Sequence, residues 1–140
     1  VFYSGIGDIV SIRIAGNIIN DDIIGSIELA CKELGAKLIV VKGHSKCGAV
    51  SVAVNSAAYG NISYITDKIE KSIDSFKMKH GNKVAHNDES LHEITWLNIR
   101  NSVQEILDNS DYIKEQVKKG NVKIVPAYYE TESGKVIFAE

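Results

Sequence analysis

LIVVKGHSKCGAVSVAV, residues Leu38–Val54, is the stretch that sets the architecture of this 140-residue chain. The apolar run Leu38 to Val41 has the character of a strand buried on both faces. A Gly-His turn follows, and Cys47-Gly48-Ala49-Val50 then opens an Ala/Val-rich run that reads as a helix start. The order is strand, tight loop, helix, with His44 and Cys47 in the loop. In α/β proteins the carboxyl end of a strand is where ligands bind. An imidazole and a thiol placed there can reach one metal ion, and a neighbouring helix N-terminus favours the thiolate form of Cys47.

Upstream, Asp8 to Ile14 alternates, with Val10, Ile12 and Ile14 on one face and Ser11 and Arg13 on the other, which predicts a strand. Ala15 to Asp22 is a polar turn region. Ile23, Ile27, Ala30, Cys31 and Leu34 then recur at helical spacing, and Gly35 stands where a C-terminal cap is expected. Downstream, Ile62, Ile65, Ile69, Ile73 and Phe76 mark a helix that ends near Met78. Lys79 to Glu89 lacks periodicity and reads as an exposed loop. Leu91 to Leu107 is helical through Ile94, Leu97, Val103 and Ile106, and Ser110 caps a short helix that stops at Gly120.

Val122 to Tyr129 and Lys135 to Phe138 are predicted strands joined by the turn residues Glu132, Ser133 and Gly134. The fold class is therefore α/β: a mainly parallel central sheet flanked by helices, with a C-terminal antiparallel hairpin at its edge. Pro126 cannot donate a ladder hydrogen bond, so its strand is expected near an edge or at a bulge. An edge strand as apolar as Val122 to Tyr129 invites a covering partner.

The length and a hydrophobic content of 44% suit one domain over residues 1–140. With 16 basic and 18 acidic residues, no electrostatic footprint favours nucleic acid or an anionic membrane. No apolar run is long enough to cross a bilayer. Two cysteines, Cys31 and Cys47, make a poor disulfide framework, which points to a reducing, cytoplasmic setting.

For His44 and Cys47 two readings stay open at this point. They are either a metal-binding pair, since zinc accepts imidazole nitrogen and thiolate sulfur, or a small buried thiol beside a satisfied loop histidine. Cys31 shares a face with Ile23, Ile27 and Leu34 and belongs to the core. His80, His86 and His92 lack mutual metal spacing and read as solvated surface residues. Asp21 with Asp22, and Asp88 with Glu89, sit at expected helix starts, where they offset the helix dipole. Gly43 and Gly48 flank the pair and permit a sharp turn and close approach of a ligand. Neither glycine-rich phosphate-binding pattern is present.

GHSKCGAV (Gly43–Val50), with GSIELACKELGAKLIVV before it and GIGDIVSIRIAGNII further back, resembles the core of a β-class carbonic anhydrase. ITWLNIRNSVQEIL and YYETESGKVIF near the end also fit. The likeness extends to the carbonic-anhydrase-like domains fused behind SulP-type anion transporters. It implies reversible hydration of carbon dioxide to bicarbonate by a hydroxide held on zinc. It also implies one zinc per chain on two cysteines and a histidine, with His44 and Cys47 as two of the ligands. The first cysteine belongs to a Cys-x-Asp-x-Arg segment whose Asp and Arg form a catalytic dyad. No such segment occurs here, and the order of motifs puts it upstream of Val1, so the domain is expected to lack its N-terminal segment.

The resemblance further implies a homodimer or tetramer, no direct membrane insertion and a possible tether to an anion transporter. Members close to the plant enzymes carry a glutamine where Ser4 stands, so substrate positioning falls to backbone groups around Gly48. Two rival readings remain. One is a non-catalytic, zinc-free regulatory or assembly domain that keeps the fold; the other is a thiol enzyme with Cys47 as nucleophile and His44 as base.

Overall fold

The computed structural model describes residues 4–82, 84 and 86–139, and among them three strands form one sheet in the order β1-β2-β3. β1 (Leu38–His44) runs parallel to β2 (Lys123–Tyr129), with Val41 opposite Pro126 and His44 opposite Tyr129. β3 (Val136–Phe138) lies antiparallel to β2, with Tyr128 opposite Ile137. The result is an α/β fold with a small mixed sheet, flanking helices and the expected C-terminal hairpin.

Helix α1 (Asp21–Lys32) begins where the Asn20 side chain accepts from the Ile23 amide at 2.9 Å, and Asp21 and Asp22 occupy its first turn. It ends in a left-handed cap: Gly35 has φ 74°, and the Ala36 amide donates to the Ala30 carbonyl at 3.0 Å. α2 (Gly48–Val54) follows β1 directly, and α3 (Ser63–His80) carries Ile69, Ile73 and Phe76 on its buried face. α4 (Asp88–Asn109) is capped by Asn87, with Asp88 and Glu89 in its first turn. α5 (Asp111–Lys118) starts at Ser110, whose hydroxyl oxygen accepts from the Ile113 amide at 3.1 Å.

Two cores meet along α4. Ile99 and Ile106 pack with Ile27, Cys31, Val41 and Ile113 beneath the sheet, whereas Ile94 joins Val50, Ile69, Ile73 and Phe76 between α2, α3 and α4. Because α4 serves both cores, it fixes β1 relative to α2. That places the ends of these two elements, and the short turn between them, against one rigid support.

Three sequence expectations change. Asp8 to Ile14 forms no strand: the alternation is real, but no neighbouring strand among the described residues pairs with it, and Val10 and Ile12 stay exposed at 47% and 37%. The second concerns Pro126, which lies in the central strand rather than at an edge. Its carbonyl accepts from the Ala139 amide at 3.0 Å, so its imide nitrogen faces the β3 side just past the last residue of β3. At that position a proline forfeits one ladder bond at a strand end. β2 is thus covered on one side by β1 and over part of the other by β3, and it is not the edge that invites a partner.

The third change is the loop before α4, which begins after His80, since α3 continues through that residue. Lys83 and Ala85, within the predicted loop, lie outside the described residues.

Candidate metal centre

β1 is longer than the apolar run suggests and carries His44 as its last residue, so the histidine belongs to the strand and not to the loop. Cys47 is the residue before α2, extended at φ −67° and ψ 116°, and its carbonyl accepts from the Ser51 amide at 3.0 Å. Between them Lys46 takes a left-handed conformation with φ 55°, which turns the chain sharply enough to bring strand and helix together. Gly43 makes the approach to α4 possible: a Cβ there would sit 2.8 Å from Ile99 Cδ1 and 3.1 Å from Thr95 Cγ2.

The His44 ring has a defined hydrogen-bonding state. Its Nδ1 lies 2.8 Å from the carbonyl oxygen of Ser45. A carbonyl can only accept, so Nδ1 carries the proton and the lone pair is left on Nε2. Metal-ligating histidines are oriented in this way, by a hydrogen bond from the other ring nitrogen.

Cys47 is a free, half-buried thiol beside a cleft of about 620 Å³ bounded also by Lys46, Gly48, Asp88, His92 and Tyr128. Lys46 pairs with Glu132 at the rim, and both groups are exposed. Tyr128 is buried, with its ring stacked on Trp96 at 5.6 Å and in tilted contact with His92 at 4.5 Å between centroids. Burial, with added repulsion from Glu130, Asp88 and Cys47, pushes its phenol up and keeps it protonated.

The other singled-out residues go elsewhere. Cys31 is buried in the core as expected, and burial raises its thiol pKa. His80 ends α3, meets the Phe76 ring in a tilted contact at 4.6 Å between centroids and bonds Glu93 at 3.0 Å, while His86 is exposed. His92 is exposed, as expected of a surface residue, and α4 also sets its ring against Tyr128 at the cleft. Asp88 and His92, four apart on one helix face, gave the available signal for this; the Tyr128 contact depends on tertiary packing.

The donor set suits zinc as far as it goes: one imidazole with Nε2 free and one accessible thiol, on either side of a two-residue turn. Among the described residues no group of three or more His, Cys, Asp or Glu side chains could hold a metal. His44 and Cys47 are two candidate donors.

The family described as carbonic anhydrase matches residues 1–136. The chain belongs to the carbonic anhydrase family. It is 29% identical over 142 residues to carbonic anhydrase 2 of Mycobacterium tuberculosis, covering 100% of this chain and 67% of the relative. Against the carbonic anhydrase of Mycolicibacterium smegmatis it is 28% identical over 138 residues, covering 97% of this chain and 65% of the relative. The chain thus spans about two thirds of the length of these relatives.

Solved β-carbonic anhydrases share the fold. CcaA superposes with a TM-score of 0.84 at 22% identity, over 97% of this chain and 69% of that one. A tetrameric β-carbonic anhydrase of Sordaria macrospora gives 0.77 at 20% identity, over 89% of this chain and 64% of that one.

Proposed function

We propose that this protein is a zinc-dependent carbonic anhydrase that interconverts carbon dioxide and bicarbonate, with His44 and Cys47 as two of its zinc ligands. The observation that carries the reading is the His44 Nδ1 contact to the Ser45 carbonyl, which leaves Nε2 as a ligand beside the Cys47 thiol. Family membership supports the reaction class. In this reading the third ligand, a cysteine, and the Asp/Arg dyad come from chain outside these 140 residues.

His44 would hold the ion through Nε2 and Cys47 through Sγ. Zinc at such a site makes water acidic enough to yield hydroxide near neutral pH. Gly48 opens the cleft beside Cys47: a Cβ there would meet nothing within 4 Å, so small substrates have room against its backbone. Tyr128, kept protonated, retains its hydroxyl proton as a possible donor in the same cleft.

Assembly as a dimer or tetramer is part of the proposal. Exposed Ile9, Val10 and Leu38 supply apolar surface for a partner to cover, and the Sordaria macrospora enzymes are tetramers. Attachment to a SulP-type transporter rests on the sequence likeness alone, and a cytoplasmic location on the cysteine usage. Among the described residues no helix is long and apolar enough to cross a membrane.

The test is zinc content together with CO2 hydration by stopped-flow in the protein carrying the upstream Cys and Asp. We expect zinc near one per chain, and loss of both zinc and activity in His44→Ala and Cys47→Ser but not in Cys31→Ala. Absence of zinc and hydration in the unaltered protein would overturn the proposal.

A further inference from the structure

Ser45 is anchored to the β2–β3 connection at three points. Its amide donates to the Tyr129 carbonyl at 2.9 Å, its Oγ accepts from the Thr131 amide at 2.9 Å, and Oγ lies 2.9 Å from Thr131 Oγ1. The same residue presents the carbonyl that accepts from His44 Nδ1. Bonds at the Ser45 amide and hydroxyl fix the placement of its Cα and Cβ, which leaves ψ as the main freedom of its carbonyl and so narrows where that oxygen points. The anchors come from Tyr129 and Thr131, 84 and 86 positions away in sequence.

We infer that Ser45 and Thr131 are positioning residues for His44. The β2–β3 turn, through the Ser45 hydroxyl, aims the carbonyl that holds the imidazole as its Nδ1-protonated tautomer and keeps Nε2 available to a metal. The inference rests on the zinc reading for its purpose, but the tautomer lock exists in the metal-free protein and is measurable there.

Alternative fates of the Ser45 hydroxyl explain less. A solvated serine would satisfy its oxygen with water and would not need a backbone donor from another element. Here the Thr131 amide, in a turn with no ladder partner of its own, depends on that oxygen. The Lys46–Glu132 pair next to it links the same two segments, but both side chains are exposed, so it adds little constraint. Ser45 is half-buried and its hydroxyl bonds the Thr131 backbone itself, so it is the more direct link between the two segments.

The experiment uses imidazole 15N spectra of metal-free protein at about pH 8, above the ordinary histidine range. Zinc affinity by competition titration is measured in parallel. In the unaltered protein His44 should show the Nδ1-protonated tautomer alone. Ser45→Ala should mix in the Nε2-protonated form and weaken zinc binding by about 10- to 100-fold. Ser45→Thr, which keeps the hydroxyl, should restore both, and Thr131→Val, which keeps the backbone amide, should give a smaller loss.

A pure Nδ1-protonated tautomer in Ser45→Ala, with zinc affinity within about twofold of the unaltered protein, would overturn the inference, since a second-shell partner is worth more than that. Should Ser45→Ala fail to fold, Thr131→Val decides: an unchanged tautomer and affinity there would count against the anchor. If the unaltered protein shows the single tautomer but binds no zinc, the function fails while the lock stands. A mixed tautomer in the unaltered protein would sink the lock whatever the zinc result.

Discussion

The side-chain amide of Asn98, buried on α4, donates to the carbonyl oxygen of Gly16 at 2.6 Å, joining residues 82 apart in sequence. One turn further along α4, the Ser102 hydroxyl donates to the Asn17 carbonyl at 2.7 Å. Together they hold the 3-10 turn Ala15–Asn17, where Gly16 has φ 70° and a Cβ would meet Ile69 at 2.8 Å and Ala49 at 3.2 Å. Asn98→Leu leaves the Gly16 carbonyl buried without its donor and should cost about 1–3 kcal/mol by urea denaturation. Ser102→Ala should cost less, and the double variant should depart from additivity because both bonds hold one turn.

Gly43→Ala should destabilise by about 1–3 kcal/mol, since its Cβ would meet the fully buried Ile99 side chain at 2.8 Å. Gly48→Ala, in open space, is the control and should leave the thermal midpoint nearly unchanged. Because Gly43 precedes His44, the first variant should also weaken zinc binding. Equal midpoints for the two variants would contradict the packing account.

The two thiols should react at different rates in metal-free protein. Cys31 is buried in the core with its pKa raised by that burial, whereas Cys47 is half-buried beside an open cleft. Iodoacetamide at about pH 8 should label Cys47 at least tenfold faster, because less thiolate forms at a buried site and access is restricted. Peptide mapping by mass spectrometry reads the order, and preferential labelling of Cys31 would refute it.

Glu93 should contribute to acid sensitivity. Hydrogen bonds from Lys79 and then His80 hold its carboxyl below the ordinary value of 4.5. A group depressed in the folded state gives stability that is present above the unfolded value and is lost as pH falls through the folded one. Glu93→Gln should therefore flatten the fall in stability between about pH 5 and about pH 3. An unchanged slope would mean these bonds do not persist in solution.

Much of this fold was legible because its signals are local. The helices built on Ile62 to Phe76 and Ile94 to Ile106 carry their own periodicity, and Ser110 caps its helix as expected. The hairpin turn at Glu132–Gly134 was equally readable. Asp8 to Ile14 misled because alternation reports a residue's two faces but not whether a neighbouring strand exists.

Pro126 misled for a related reason. A lost donor matters only where the adjacent strand still runs, and β3 ends just before it would be needed. At the site, His44 and Cys47 were visible as a spacing on a strand-turn-helix. Ser45, Thr131, His92 and Tyr128 were not, because each acquires its role from a contact between distant segments.

Zinc K-edge X-ray absorption on the protein reads the central claim most directly. We expect sulfur at about 2.3 Å and imidazole nitrogen at about 2.0–2.1 Å around the ion, with the nitrogen shell lost in His44→Ala and a sulfur lost in Cys47→Ser. A zinc environment unchanged by either substitution, or no specifically bound zinc at all, would contradict the account.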